Sequence, residues 1–129
     1  MPDTENPVIV VVDDDPAVLG SLKFSLELEG FCVETYRSGS ELLADPAASR
    51  SGCLVIDLKL PGMDGLDLLA ALRKNNVSTP AILITSHPTA ALRRRAAEED
   101  TPIVEKPLLG DALLDAIHAV FGVRGAIAS

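Results

Sequence analysis

A chain of 129 residues is long enough to enclose one hydrophobic core and too short for two, so we expect a single domain. Apolar residues make up 47% of the chain but aromatic residues only 3%, so that core has to be built from Leu, Val, Ile and Ala. The formal net charge is −8, so the chain lacks the excess of basic residues that a nucleic-acid-binding surface needs. We therefore expect no direct nucleic-acid binding.

The N-terminal segment 1–7 is polar and acidic, without the basic start and apolar run of a secretory signal. No apolar run approaches the length of a membrane span, so we expect a cytoplasmic protein without membrane contact. Cys32 and Cys53 lie in runs typical of strands and not in a Cys-x-x-Cys spacing. We interpret both as reduced core residues, with a regulatory disulfide as the alternative.

The first predicted element is a strand over residues 8–12, whose continuous β-branched run is typical of a strand buried on both faces of a parallel sheet. The acidic run that follows ends at Asp15, and Pro16 comes next. Asp15 suits the N-cap of a helix and Pro16 its first position. Gly30 is placed to end that helix. The sequence therefore opens with one strand–helix unit.

The alternation of strand and helix continues to the end of the chain. Further strands are predicted over residues 31–36, 53–57, 81–85 and 103–104, and further helices over residues 40–43, 66–72, 90–99 and 112–121. Five alternations with short connections predict an α/β fold with a five-stranded parallel sheet and helices on both faces. We expect one domain over residues 1–122 and a loose C-terminal tail over residues 123–129.

Chemically active side chains follow four of these strands, at their carboxyl ends. Asp13 and Asp14 follow the first strand, Asp57 ends the third, Thr85 ends the fourth and Lys106 follows the fifth. In the doubly wound order 2-1-3-4-5 those four strands are neighbours, spaced about 4.8 Å apart. The five side chains are therefore expected to converge on one pocket.

Three carboxylates in one pocket repel one another. Two like charges about 4 Å apart cost about 4 kcal/mol at an effective dielectric constant of about 20, so packing alone would not hold them together. Mg²⁺ relieves this repulsion, because it takes one or two carboxylates together with waters and phosphate oxygens. The cluster therefore predicts a magnesium site and a phosphoryl substrate.

The same cluster suggests a role for each of three residues in phosphoryl transfer. Asp57 is the best nucleophile, because it faces both Lys106 and Thr85. Lys106 would act as a point charge on the phosphoryl oxygens, and the Thr85 hydroxyl would bond one of them. Each residue alone has a simpler interpretation, as a loop aspartate, a solvated lysine or a strand-end threonine, and only their convergence favours function.

Four motifs in this order resemble those of CheY-like response-regulator receiver domains of two-component signalling. The likeness covers about residues 8–122 and implies a flavodoxin-like fold. The motifs are Val-Val-Asp13-Asp14-Asp15, Asp57-Leu-Lys-Leu-Pro61-Gly-Met-Asp-Gly65, Ile-Thr85-Ser86 and Glu105-Lys106-Pro107.

The resemblance implies a signalling domain rather than an enzyme, whose only reactions are its own phosphorylation and dephosphorylation. The phosphoryl group would come from a sensor histidine kinase or a phosphotransfer protein to Asp57, and the phosphorylated domain would act on a downstream protein target. The resemblance also implies a cis peptide bond between Lys106 and Pro107. The implied Mg²⁺ ligands are Asp13, Asp14, Asp57 and the backbone carbonyl of Lys59.

Two departures from the family pattern concern output rather than chemistry. Ile103 stands where the family usually has an aromatic residue, and residues 98–102 replace a small Gly-Ala pair. We therefore expect the helix before the fifth strand to be reshaped or mobile, and the usual aromatic readout is in doubt. The arginine run 93–95 on that helix is interpreted as a solvated face, with a partner surface as the alternative. The sequence leaves the oligomeric state open.

Two other function classes stay open at this stage. A Mg²⁺-dependent phosphohydrolase with an Asp-x-Asp motif would use Asp13 as the nucleophile and Asp15 as the acid. A constitutive interaction module with a receiver fold would bind its partner equally well with and without phosphorylation, as expected if Ile103 uncouples the switch.

Overall fold

The computed structural model describes the backbone of residues 7–108 and 111–128, and the side chains of these ranges as far as residue 121. Most of the polar N-terminal segment, residues 1–6, lies outside the described residues, as do residues 109, 110 and 129. Within the described ranges, every helix is too short or too polar to span a bilayer.

All five strands are parallel and form one sheet in the order 2-1-3-4-5, as the sequence predicts. The strand β2 and the strand β5 form its two edges. The strands are Val8–Val12 (β1), Cys32–Tyr36 (β2), Cys53–Asp57 (β3), Ala81–Thr85 (β4) and Ile103–Glu105 (β5).

Helices connect the strands and follow the last one. They are Pro16–Leu28 (α1), Gly39–Leu43 (α2), Ala47–Arg50 (α3), Gly65–Lys74 (α4), Ala90–Glu98 (α5) and Ala112–Ala128 (α6). The short α3 is not predicted from the sequence. The helix α6 reaches Ala128, and the expectation of a loose tail after residue 122 stays a prediction. The domain boundary after residue 122 stays a prediction.

Alternate residues of each strand point to opposite faces of the sheet, and each face is covered by a separate apolar layer. One layer packs α2, α3, α4 and α5 on side chains such as Val10, Leu54 and Leu83. The other packs α1 and α6 on side chains such as Val11 and Ile82. The central strands β3 and β4 are therefore buried along their whole length, and their polar groups emerge at the carboxyl edge.

The segment after α5 closes the helix with a hydrogen-bonded turn. The Asp100 amide donates to the Ala97 carbonyl at 3.1 Å and the Thr101 amide to the Ala96 carbonyl at 2.9 Å, which is the Schellman pattern. Asp100 has a φ of 51° there, a conformation that usually takes glycine. The helix is regular over Ala90–Glu98, and the expectation that it is reshaped or mobile relative to the family stays a prediction.

The two cysteines lie in different environments. Cys53 is fully buried in the central strand β3, and burial raises the pKa of its thiol to about 12. That thiol is protonated at neutral pH, as expected for a core residue. Cys32 is exposed, which contradicts the prediction that it belongs to the core. The reason is that β2 is an edge strand, in which the burial of Cys32 and Val33 alternates.

Candidate functional site

The sheet brings the predicted residues to its carboxyl edge. Asp57 is the last residue of β3 and pairs in register with Ile84 of β4, one residue before Thr85. Asp13 directly follows β1, and its amide donates to the Tyr36 carbonyl at 3.1 Å. Because β1, β3, β4 and β5 are consecutive neighbours, the residues at their ends share one edge of the sheet.

Three carboxylates meet at this edge. Asp13, Asp14 and Asp57 each offer an oxygen, and these oxygens lie within 4.8 Å of one another. Asp13 is fully buried and Asp57 is 4% exposed, whereas Asp14 is exposed to solvent. The second Asp13 oxygen, Oδ1, accepts a hydrogen bond of 2.9 Å from the Asp15 amide. The cluster therefore has a buried floor and one open side.

Lys106 lies between the two buried acids. Its Nζ is 3.2 Å from Asp13 Oδ2 and 3.2 Å from Asp57 Oδ2. The Lys106 amide donates to the Thr85 carbonyl at 2.8 Å, which joins the end of β5 to that of β4. The Lys106–Pro107 peptide bond is cis, as the family resemblance implies.

The burial of these charges shifts their proton affinities. Desolvation, followed by repulsion from Asp13, raises the pKa of Asp57 above its ordinary value, and the Lys106 ammonium offsets this only in part. Desolvation lowers the pKa of Lys106, but attraction to Asp57 and Asp13 outweighs it, so the net shift is upward. Lys106 therefore stays protonated at neutral pH and presents a permanent positive charge.

Thr85 and Lys59 contact this centre in different ways. Thr85 is buried, and its Oγ1 accepts a bond of 3.3 Å from the His87 amide. Its hydroxyl hydrogen has no acceptor among the described residues and can donate to a ligand. The Lys59 amide donates to Asp57 Oδ1 at 3.4 Å, while the Lys59 side chain is exposed.

Asp15 does not join the cluster as an acid. Its side chain accepts a 2.9 Å bond from the Ala17 amide and caps α1, which confirms the N-cap interpretation. The carboxylate that a phosphohydrolase would need as its acid is therefore committed to the helix end.

The model of the response regulator receiver domain family matches residues 9–118. The chain belongs to this family. The prediction made from the four motifs is thereby confirmed, and so is the prediction that the chain is a signalling domain of two-component systems. Receiver domains bind Mg²⁺ in an acidic pocket, and the acidic cluster is the corresponding feature of this receiver domain.

Similar proteins cover nearly the whole receiver domain. FixJ, a transcriptional regulatory protein of Rhizobium meliloti, is 36% identical over 111 residues, which cover 84% of this chain and 53% of FixJ. DctD of Pseudomonas aeruginosa, a C4-dicarboxylate transport transcriptional regulatory protein, is 34% identical over 119 residues, 90% of this chain and 25% of DctD. The receiver domain thus spans about half of the one relative and a quarter of the other.

A solved structure agrees with these relatives. The CheY-like response regulator receiver domain protein of Methanospirillum hungatei superposes with a TM-score of 0.77 at 30% identity, and the match covers 88% of this chain and 92% of that one.

The donor set of the receiver domain suits a hard divalent cation. All the side-chain donors are carboxylate oxygens, which Mg²⁺ prefers. Lys106 supplies one positive charge against three ionised carboxylates, which leaves an excess of two negative charges in the cluster. Asp13, Asp14 and Asp57 therefore fit a magnesium ion by donor type and by charge.

The sequence reasoning did not single out the start of α4. Asp64 accepts a 2.7 Å bond from the Asp67 amide, and Asp67 accepts one of 3.1 Å from the Asp64 amide, so the pair forms a capping box. An acidic N-cap followed three residues later by a second acid could have signalled it. Asp64 also lines an open recess of about 550 Å³, together with Asp14 and Lys59. The recess gives a ligand access to the exposed side of the cluster.

Proposed function

We propose that this receiver domain is cytoplasmic and accepts a phosphoryl group on Asp57 from the phosphohistidine of a sensor histidine kinase or phosphotransfer protein. The phosphorylated domain then changes its affinity for a downstream protein. The observation that carries the proposal is the contact of one buried carboxylate with both a cation and a second acid: Asp57 lies 3.2 Å from Lys106 Nζ and within 4.8 Å of an Asp13 oxygen.

In the transfer step an Asp57 oxygen attacks the phosphorus. The new oxygen–phosphorus bond forms as the phosphorus–nitrogen bond breaks, and the histidine nitrogen of the donor keeps the electron pair. Lys106 balances charge on the phosphoryl oxygens from its position beside Asp57. Thr85 donates its free hydroxyl hydrogen to one of those oxygens once the acyl phosphate has formed.

Asp13, Asp14, Asp57 and the backbone carbonyl of Lys59 would hold the magnesium ion. When bound, Mg²⁺ neutralises charge on the carboxylates and on the phosphoryl oxygens. The exposed side of Asp14 and the recess beside it support the proposal, because a phosphodonor and a hydrated ion need an open approach.

Phosphorylation replaces a carboxylate by a group with about −1.5 to −2 charges. Lys106 and Thr85 are joined through the bond from the Lys106 amide to the Thr85 carbonyl, so both can follow the added charge. Ile103 is half-buried and packs on the layer that contains Leu92 of α5, so we propose that this apolar contact transmits the change without an aromatic residue.

We favour a phosphorylation-coupled receiver over a constitutive interaction module for an energetic reason. Ionised groups are costly to bury, and a module that only binds a partner gains nothing from Asp13 and Asp57 in close contact.

The test is incubation with a small phosphodonor and Mg²⁺, followed by intact-mass spectrometry. We expect stoichiometric labelling of the native chain, none without Mg²⁺ and none in Asp57→Asn. The matched control is Asp15→Asn, because Asn also caps helices and Asp15 lies outside the cluster; this variant should label like the native chain. Equal labelling of the native chain and Asp57→Asn, or no labelling of either, would overturn the proposal.

A further inference from the structure

Gly65, the first residue of α4, lies against the backbone that carries the phosphoacceptor. A Cβ atom at this position would lie 2.6 Å from the Asp57 carbonyl oxygen and 3.1 Å from Leu58 Cα. It would also lie 3.0 Å from Ile56 Cγ2. Two of these three contacts are with main-chain atoms at the end of β3, which cannot rotate away as the tip of a side chain would.

Glycine is needed at residue 65 because α4 lies so close to the end of β3, and not because the backbone adopts an unusual conformation there. Among the described glycines, a left-handed φ occurs at Gly30 and Gly62, with values of 99° and 82°, and Gly65 has none. An alanine at residue 65 would therefore suit the helix itself, and its only difficulty would be contact with β3.

Gly65 also closes the loop that leaves the phosphoacceptor. Its amide donates to the Leu58 carbonyl at 2.7 Å, so the residue after Asp57 is bonded to the first residue of α4. Within this loop the Lys59 amide contacts Asp57 Oδ1, and at its far end Asp64 anchors α4 through the capping box. Any shift of α4 away from β3 is therefore transmitted to both ends of the loop.

We propose that Gly65 is a positioning residue for phosphoryl transfer. By lacking a side chain it lets α4 rest on the Asp57 main chain, and this contact fixes the Asp57 carboxylate relative to Lys106 and Asp13. The inference rests on the proposed function, because it assigns a consequence to the position of Asp57 in the reaction.

Displacement of reacting atoms by about 1 Å can reduce a rate by about 10²-fold. A Cβ atom 2.6 Å from a carbonyl oxygen has to be accommodated by a movement of that order, and here the carbonyl belongs to the nucleophilic residue itself. We therefore expect Gly65→Ala to lower the maximal labelling rate at saturating phosphodonor and Mg²⁺ by at least tenfold. We also expect it to raise the Mg²⁺ dissociation constant about tenfold.

The matched control is Gly52→Ala. Its added Cβ would lie 2.6 Å from Cε1 of the Phe121 ring, which is as close as the contact at Gly65 but involves a residue of α6. Gly52 precedes β3 and lies at the opposite end of that strand from Asp57. This variant should keep the native labelling rate and Mg²⁺ affinity within twofold, and it should lose thermal stability only as far as the Phe121 ring cannot shift away from the added Cβ.

The experiment measures labelling time courses and Mg²⁺ titration calorimetry at a temperature where circular dichroism shows each variant to be folded. If Gly65→Ala does not fold alone, it is made together with Asp100→Gly, which relieves a left-handed aspartate remote from the site. Native rates and affinity in folded Gly65→Ala would overturn the inference. So would an equal loss in Gly52→Ala, because the effect would then be one of general stability. Absence of labelling in the native chain would instead overturn the proposed function.

Discussion

Two pairs of buried polar side chains among the described residues differ in what they contact. Thr79 and Thr101 each donate a hydroxyl hydrogen to a nearby carbonyl, that of Ala48 at 2.8 Å and that of Glu99 at 3.1 Å. Asp13 and Asp57, at the carboxyl edge, instead face each other and share one lysine.

The difference separates the parts of the molecule that maintain the fold from those that perform chemistry. A buried hydroxyl paired with a carbonyl is satisfied, and it adds about 1 kcal/mol to stability. Two buried acids with one cation remain short of positive charge, so they oppose folding until a further cation arrives. Among the described residues, this excess of buried negative charge lies at the carboxyl edge, where the phosphoryl group and the metal ion are proposed to bind.

The largest effect is expected from Lys106→Met, which removes the cation between the two acids and keeps a side chain of similar length. We predict a loss of about 2 to 3 kcal/mol in the free energy of unfolding in chelator-treated buffer, because buried like charges remain without a partner. Mg²⁺ should restore part of this loss. The labelling rate should fall about 10²-fold.

Urea unfolding with and without Mg²⁺ measures the first effect of Lys106→Met, and intact-mass time courses measure the second. Lys23→Met is the control, since Lys23 forms an exposed pair with Glu27 at 2.8 Å and should cost less than about 1 kcal/mol. If Lys106→Met and Lys23→Met lost similar amounts of stability, the Lys106 contacts with the buried acids would be worth no more than an exposed ion pair, and the prediction would be wrong.

A smaller effect of opposite sign is expected from Asp57→Asn, which abolishes labelling but should stabilise the fold by about 1 kcal/mol at neutral pH without Mg²⁺. Because the pKa of Asp57 is raised in the folded state, the folded chain binds this proton more tightly than the unfolded chain. Native stability is therefore lost as the pH rises from the unfolded pKa through the folded one.

Asparagine does not titrate, so the advantage of Asp57→Asn should be complete above the folded pKa and absent below the unfolded one. Urea unfolding at a series of pH values measures this difference. If Asp57→Asn were less stable than the native chain at neutral pH, the ionised Asp57 would stabilise the fold. That result would contradict the claim that the buried acids oppose folding without a further cation.

The sequence predicts those features that depend on a repeating pattern. The β-branched runs predict the buried strands, and the strand order then brings Asp13, Asp57 and Lys106 to one edge because each lies at the carboxyl end of its strand. Features that depend on a distance between elements are not predicted. The exposure of Cys32 follows from its place on an edge strand, and the importance of Gly65 follows from how closely α4 approaches β3.

The end of α5 is a second feature that the sequence pattern does not predict. The run Glu98-Glu99-Asp100-Thr101-Pro102 replaces the small Gly-Ala pair of the family pattern, and it lacks the glycine that usually marks a Schellman turn. Here the two hydrogen bonds of the motif form around an aspartate, whose tolerance of the left-handed region is only moderate. The helix end is thus set by hydrogen bonds to Ala96 and Ala97 rather than by the residue that local propensity favours.

The smallest expected effect follows from that turn. Asp100→Gly should raise the free energy of unfolding by about 0.5 to 1 kcal/mol, because glycine adopts a φ of 51° without the Cβ strain that aspartate bears. Glu99→Gly is the control, since Glu99 has an ordinary φ of −98° and gains nothing from glycine; it should be neutral or destabilising.

Asp100→Asn separates charge from conformation, because it removes the carboxylate and keeps the Cβ atom. Urea unfolding of the three variants distinguishes these causes. If Asp100→Asn stabilises as much as Asp100→Gly, the strain at this turn is electrostatic repulsion from Glu98 and Glu99 and not the left-handed backbone.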